Sequence, residues 1–190
     1  MIRLDSKRHH VYLKDNKIYK YFQDIASYEG EKKVLESYDP LRIIKCDNDK
    51  MLIIMTYIKG TSLLDILESC EKHDEINEFI EICLEVFESL NRFHKTFNNK
   101  LRFYDMNFKN ILYDDQVYLI DFETVRPGDI RQDYIAFVAM LVMYNPIKSD
   151  FKMKVKKELL SYLSKTLDLN LSHINELFKS ELEQIHARRQ

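Results

Sequence analysis

Asp105, Asn110 and Asp121 are the side chains in this sequence best placed to do chemistry. Asn110 follows Asp105 by five positions, and Asp121 follows Asn110 by eleven. Between the last two lie the short apolar runs Ile111–Tyr113 and Val117–Ile120, joined by the polar turn Asp114, Asp115 and Gln116. The pattern predicts a loop, a hairpin and a second acidic loop, which set two carboxylates and one amide at the mouth of a pocket. Phosphoryl transfer needs such a set. One carboxylate orients the attacking hydroxyl, while a carboxylate and a carboxamide hold Mg²⁺ on the phosphates.

The elements that must position these residues can be read from period and punctuation. Val11–Leu13 and Ile18–Phe22 flank the turn Lys14–Lys17, a hairpin signal. From Asp24 to Tyr38 the period changes to helical, with Ile25, Tyr28, Val34 and Leu35 on one stripe and Asp39-Pro40 as the stop. Arg42–Lys45 and Met51–Met55 then form a second pair of β-rich runs around Asp47–Asp49. Together these predict a small β-rich lobe with one helix, residues 1–58. Residues 59–190 read as a mainly helical lobe. Thr61 and Ser62 can cap a short helix through Leu67. A long amphipathic helix is expected over Asp74–Lys95, with Phe79, Cys83, Val86, Phe87, Leu90 and Phe93 inside. Tyr134–Tyr144 is apolar enough to be buried, and two amphipathic helices over Phe151–Leu167 and Leu171–Arg188 finish the chain. The expected architecture is α+β, one domain of two lobes.

Composition narrows the classes. The 190 residues are 45% hydrophobic and 32% charged, ordinary for a soluble globular domain. A net charge of −2 gives no bulk attraction to nucleic acid or anionic membrane. Cys46, Cys70 and Cys83 show no metal-ligand spacing and read as reduced thiols, which suggests a cytoplasmic protein. The first ten residues contain no apolar leader segment, and no run approaches the length of a membrane span.

The ordered set resembles the catalytic and metal-binding loops of the protein-kinase-like superfamily. Leu90–Phe97, containing His94, is similar to the helix end that leads into a kinase catalytic loop, and Val117–Ile120 delivers Asp121 into Asp-Phe-Glu. Met51–Leu67 resembles the hinge strand, its linker and the small helix that follows. The resemblance implies a two-lobed kinase-like fold whose interlobe cleft holds ATP with Mg²⁺. Asp105 would be the catalytic carboxylate, and Asn110 and Asp121 the metal ligands. Met55 would back the adenine pocket, with backbone groups of Thr56, Tyr57 and Ile58 bonding the base. The small lobe should offer a strand lysine to the α- and β-phosphates and a helix glutamate to hold it. Lys20 and Glu31 fit these roles, with Lys17 and Glu29 as rivals. Asp133 resembles the buried aspartate that supports the catalytic loop; a plain helix cap is the other reading.

Two positions depart from the pattern. No glycine precedes Gly30, so a Gly-rich phosphate loop is missing; Ser6–His10 stands in its place, where Lys7 and Arg8 could supply charge or simply form a basic surface turn. Phe103 stands where most relatives carry a histidine that braces the loop. Only about a dozen residues separate Asp121 from the helix led by Asp133, and no Ala-Pro-Glu sequence occurs. This looks like the compact, atypical branch, which includes aminoglycoside and choline phosphotransferases, lipopolysaccharide core sugar kinases, and RIO-type and tRNA-modification-complex kinases. The expected activity is transfer of a γ-phosphoryl group to an alcohol on a small molecule or glycan. An atypical Ser/Thr protein kinase and a nucleotide-binding pseudokinase are the alternatives.

Overall fold

The computed structural model describes residues 1–4, 6 and 8–189. The chain divides into two compact units, Met1–Lys59 with Asp121–Val125, and Gly60–Ile120 with Arg126–Gln190.

The first unit is built on one antiparallel sheet. Its strands are β1 (Ile2–Leu4), β2 (His10–Lys14), β3 (Lys17–Tyr21), β4 (Ile43–Asp47) and β5 (Leu52–Thr56), in the order β1-β2-β3-β5-β4. The register pairs Lys20 with Val11 on one side and with Ile53 on the other. Helix α1 (Ile25–Tyr38) begins at Asp24, whose carboxylate accepts the Ser27 N–H at 2.8 Å, and ends before Pro40. Its buried stripe is Tyr28, Glu31, Val34 and Leu35, so an acidic residue lies among core positions. The strand expected at Arg42–Lys45 starts at Ile43 instead. Pro40 opens a 3₁₀ turn that takes in Arg42, whose N–H bonds the Asp39 carbonyl and whose guanidinium lies 3.6 Å from the Asp39 carboxylate. The strand expected from Met51 starts at Leu52, because Met51 sits in the turn with φ +46°.

In the second unit β6 (Thr61–Ser62) leads into helix α2 (Leu63–His73). Ser62 caps it, accepting the Asp65 N–H at 3.2 Å and donating to the Asp65 carboxylate at 2.6 Å. The helix runs beyond Leu67, the expected end, because Cys70 extends the buried stripe of Leu63 and Leu67 by another turn. Asp74 then closes it in the left-handed conformation. Helix α3 (Ile76–Thr96) buries all six of its expected core residues. Two short strands, β7 (Leu101–Arg102) and β8 (Ile111–Tyr113), precede β9 (Val117–Leu119) and β10 (Arg126–Pro127); β6-β8-β9 form one sheet and β7-β10 a second. Gly60 is required beside this sheet, since a Cβ there would stand 2.8 Å from the Tyr113 carbonyl oxygen. Helix α4 (Arg131–Met143) is almost entirely buried, and α5 (Asp150–Thr166) and α6 (Leu171–Arg189) complete the unit. Among the described residues no helix is long and apolar enough to cross a membrane.

One polar contact inside this helical core carries a large energetic stake. The Lys152 side chain is wholly buried; its ammonium donates to Glu71 at 2.7 Å and to the Pro146 carbonyl at 3.0 Å, and Ser149 also donates to Glu71. Truncating Glu71 strands a buried cation, whereas Lys152→Met replaces it with an apolar chain of similar length. Glu71→Ala should cost about 3–5 kcal/mol, roughly 6–20 °C in Tm, and Lys152→Met clearly less. Thermal unfolding of the two variants checks this, and equal losses would contradict it.

Candidate active site

The loop around Asp105 is organised by a carboxylate that does no chemistry itself. Asp133, fully buried at the start of α4, accepts four hydrogen bonds. They come from Phe103 N–H at 2.7 Å, Tyr104 N–H at 3.2 Å, Arg102 Nε at 3.0 Å and His94 Nε2 at 2.9 Å. It caps no helix: the cap position of α4 is Ile130. A buried carboxylate tolerates desolvation only when its lone pairs are filled, and here backbone and two basic side chains fill them. Phe103, the departure noted in the sequence, is also fully buried and packs edge-on to Phe93 at 5.9 Å. Its ring fills space in the core, while Asp133 fixes its backbone.

From that anchor the chain turns tightly. Tyr104 has φ +70°, Asp105 N–H bonds the Phe103 carbonyl and Met106 N–H the Tyr104 carbonyl. One Asp105 oxygen accepts the Asn107 N–H at 3.2 Å, and the other accepts the Asn110 side-chain N–H at 3.1 Å. Tyr144 holds the far side, its hydroxyl accepting the Phe108 N–H at 2.8 Å and donating to Asn107 Oδ1 at 3.1 Å. Asn110 is tied in turn to the strand that leads to Asp121, because its carbonyl accepts the Ile120 N–H at 3.0 Å. The second unit thus brings together Asp105 and Asn110.

The first unit brings together Lys20, Glu31 and Asp121. The Lys20 ammonium lies 2.6 Å from Glu31 Oε2 and 2.6 Å from Asp121 Oδ1. The side chains of Lys20 and Glu31 are 9% and 1% exposed, whereas that of Asp121 is 36% exposed. Burial alone would lower the Lys20 pKa, but Glu31 and Asp121 outweigh it and hold the ammonium above its ordinary range. Burial pushes the Glu31 carboxyl up, opposed chiefly by Lys20. The rivals lie elsewhere: Lys17 pairs with Thr56 in the sheet, and Glu29 is 3.9 Å from Lys32.

The remaining expected residues lie at the end of β5. Met55 is buried, with its sulfur 3.2 Å from an Arg42 guanidinium nitrogen. Thr56 is exposed, and Tyr57 and Ile58 are half-buried. The Tyr57 N–H is committed to the Asn16 carbonyl at 3.2 Å, so that donor does not face a base. The Arg8 guanidinium lies 3.7 Å from Glu123, and its side chain is 71% exposed. Lys7 lies outside the described residues.

Sequence reasoning assigned no role to His9 or Glu123, yet their side chains meet at 2.5 Å with His9 buried. The two are separated by 114 positions, and no periodicity reports such a contact.

The oxygen donors present are of the hard kind that Mg²⁺ takes. Among the described residues no three His, Cys, Asp or Glu side chains cluster as a self-sufficient metal site. Mg²⁺ characteristically takes one or two protein oxygens and completes its octahedron with phosphate and water. In the first unit the part-exposed Asp121 carboxylate, and in the second the Asn110 Oδ1 left over when its amide nitrogen turns to Asp105, are each a hard oxygen of that kind.

A small β-sheet with one helix, a lysine–glutamate–aspartate cluster, and a helical unit whose braced loop carries Asp105 and Asn110 define a protein-kinase-like fold. The comparison with solved structures agrees. The chain is similar to a choline/ethanolamine kinase family protein from Mesorhizobium loti, with a TM-score of 0.51 over 97% of this chain and 86% of that one. At 10% identity the likeness is one of fold. No protein-family model matches the chain, and no curated protein sequence matches it.

Lys20→Met should leave Glu31 buried without its cation and raise its pKa further. A carboxyl whose folded pKa lies above its ordinary 4.5 favours folding below that value and loses the contribution as pH rises through the folded pKa. The stability deficit of Lys20→Met against the parent should therefore be larger at pH 8 than at pH 5. Urea melts at the two pH values check this; a deficit independent of pH would contradict it.

Proposed function

We propose that this protein is an ATP- and Mg²⁺-dependent phosphotransferase that moves a γ-phosphoryl group to an alcohol, on a small molecule or a glycan sugar. The observation that carries the reading is the Lys20 ammonium held at 2.6 Å by both Glu31 and Asp121. A buried, permanently charged lysine with one carboxylate behind it and a second, part-exposed carboxylate beside it suits the phosphates of a metal-bound nucleotide.

Each residue then has a role that its surroundings support. Lys20 binds the α- and β-phosphates, and Glu31 fixes its position. Asp121 and Asn110 would hold Mg²⁺, which when bound neutralises charge on the phosphate oxygens. Asp105 orients the acceptor hydroxyl and takes its proton; its own orientation is set by Asn107 and Asn110. Met55, the Tyr57 carbonyl and the backbone of Thr56 and Ile58 take the base. Most of the rate enhancement would come from positioning and from fixed charge.

The choice of a small acceptor rests on the segment after Asp121. It makes one two-residue ribbon, Arg126 and Pro127 against Leu101 and Arg102, and enters α4 at Arg131. That leaves little chain to form a platform for an extended peptide.

ATP at a hundredfold over its Kd should stabilise the protein by about 2.7 kcal/mol, a Tm rise of roughly 5–10 °C that needs Mg²⁺. Asp121→Asn should abolish the Mg²⁺-dependent part. Asp105→Asn should keep it while lowering phosphoryl transfer by about 10²–10⁴. Thermal scans and an ADP-release assay over a panel of sugars and amino-alcohols test both. A Mg²⁺-dependent shift with no turnover for any acceptor would indicate a nucleotide-binding scaffold; normal turnover in Asp121→Asn would end the assignment.

A further inference from the structure

We propose that His9 is a positioning residue for Asp121: through Glu123 it clasps the Asp-Phe-Glu turn, in the stretch of chain where a glycine-rich phosphate loop is missing. This rests on the reading of Asp121 as a metal-holding carboxylate.

His9 immediately precedes β2 and is only 4% exposed. Its surroundings fix the ring. Nδ1 accepts the Gln23 N–H at 3.4 Å, which puts the ring proton on Nε2, and Nε2 donates to Glu123 Oε2 at 2.5 Å. The Phe22 ring covers one face at 4.8 Å between centroids, and the His9 N–H is anchored on the Ser6 hydroxyl. Arg8 approaches the other Glu123 oxygen at 3.7 Å, but its side chain is 71% exposed and adds little. The clasp is the buried imidazole.

Its purpose follows from the residue two positions earlier. Asp121 has φ +64°, in the left-handed region, which an aspartate tolerates better than most side chains and holds most firmly where its neighbours are fixed. Three consecutive side chains supply that constraint. Asp121 is held by Lys20, Phe122 is buried against the Tyr38 ring at 5.7 Å, and Glu123 is held by His9. The Lys20 bond is also the one that a bound nucleotide would rearrange, because Lys20 then serves phosphate. The His9–Glu123 bond engages neither Lys20 nor Asp121, so it can keep the turn in place while they change partners.

The test compares the parent, His9→Ala, His9→Gln, Glu123→Ala and Asp121→Asn by two readouts. The first is ATP affinity in EDTA and across a Mg²⁺ titration. The second is amide hydrogen exchange of residues 121–125 without ligand. His9→Ala should bind ATP in EDTA as the parent does, lose about 10- to 100-fold in Mg²⁺ affinity, and exchange the 121–125 amides faster. Glu123→Ala should show the same faster exchange. His9→Gln, which retains an N–H donor, should restore both readouts. A His9→Ala or Glu123→Ala protein with parental exchange in 121–125 overturns the clasp, as does His9→Gln behaving like His9→Ala. Unchanged ATP–Mg²⁺ binding in Asp121→Asn would instead bring down the reading of Asp121, with the exchange data still deciding whether His9 orders the turn. Should His9→Ala fail to fold, Glu123→Ala, altered at the other end of the same bond, decides.

Discussion

A single buried ammonium constrains the first unit more than any apolar contact in it. Lys20 stands on β3 at the position paired with Ile53, a fully buried residue. A charge there is tolerable only with anions close by. Glu31 meets that need from the core-facing stripe of α1, and is itself admissible among Tyr28, Val34 and Leu35 only because the ammonium is present. Asp121 arrives from a distant part of the sequence, with Phe122 buried beside it against Tyr38. The return of five residues, Asp121–Val125, into a unit otherwise made of Met1–Lys59 follows from this: one carboxylate and one aromatic ring both have partners there.

The second unit solves a related problem with the opposite sign. Asp133 is a fully buried anion, and its donors come from the end of α3, from β7 and from the backbone of the loop that carries Asp105. That arrangement explains why Phe103 can occupy a position where a histidine is usual. The loop is fixed through the Phe103 N–H, which any residue but proline provides, and the side chain need only fill its space beside Phe93. His94, nine residues upstream, contributes an imidazole donor to the same carboxylate.

How much could be read from the sequence depended on the range of the interaction. Helices α3 to α6 and the hairpin of β8 and β9 were legible, because period and turn chemistry are local and long segments carry strong signals. Lys20 and Glu31 were legible as candidates since each shares a face with apolar neighbours, Ile18 on the strand and Val34 and Leu35 on the helix. The choice over Lys17 and Glu29 needed the partner in space. The strand Ile2–Leu4 is too short to announce itself, and the further turn of α2 hung on a single buried cysteine. The His9–Glu123 bond and the loss of the Tyr57 N–H to Asn16 join residues remote in sequence, so neither leaves a pattern along the chain.

The positions of positive φ tie these points together. Among the described residues no glycine adopts it; Asp15, Asn16, Met51, Asp74, Asn98, Asn99, Tyr104, Asp121, Lys148 and Asp168 do. Seven of the ten are Asp or Asn, the side chains best able to accept a left-handed backbone by bonding locally to it. Most of them sit in plain turns or at helix ends. Tyr104 and Asp121 stand in the candidate site, one immediately before Asp105 and the other proposed as a metal ligand. Tyr104 is bulky and gains nothing from local bonding, so its conformation must be held from outside. Its N–H is taken by Asp133 and its ring lies under the Arg126 guanidinium at 3.3 Å. Asp121 is held by Lys20, with its neighbours fixed by Tyr38 and His9. Both lie in turns anchored on a buried charge, Asp133 for one and Lys20 for the other, which gives a physical reason for burying those charges at a cost in desolvation. Each buried charge helps to keep in place a left-handed backbone at or next to a carboxylate on which the proposed chemistry depends.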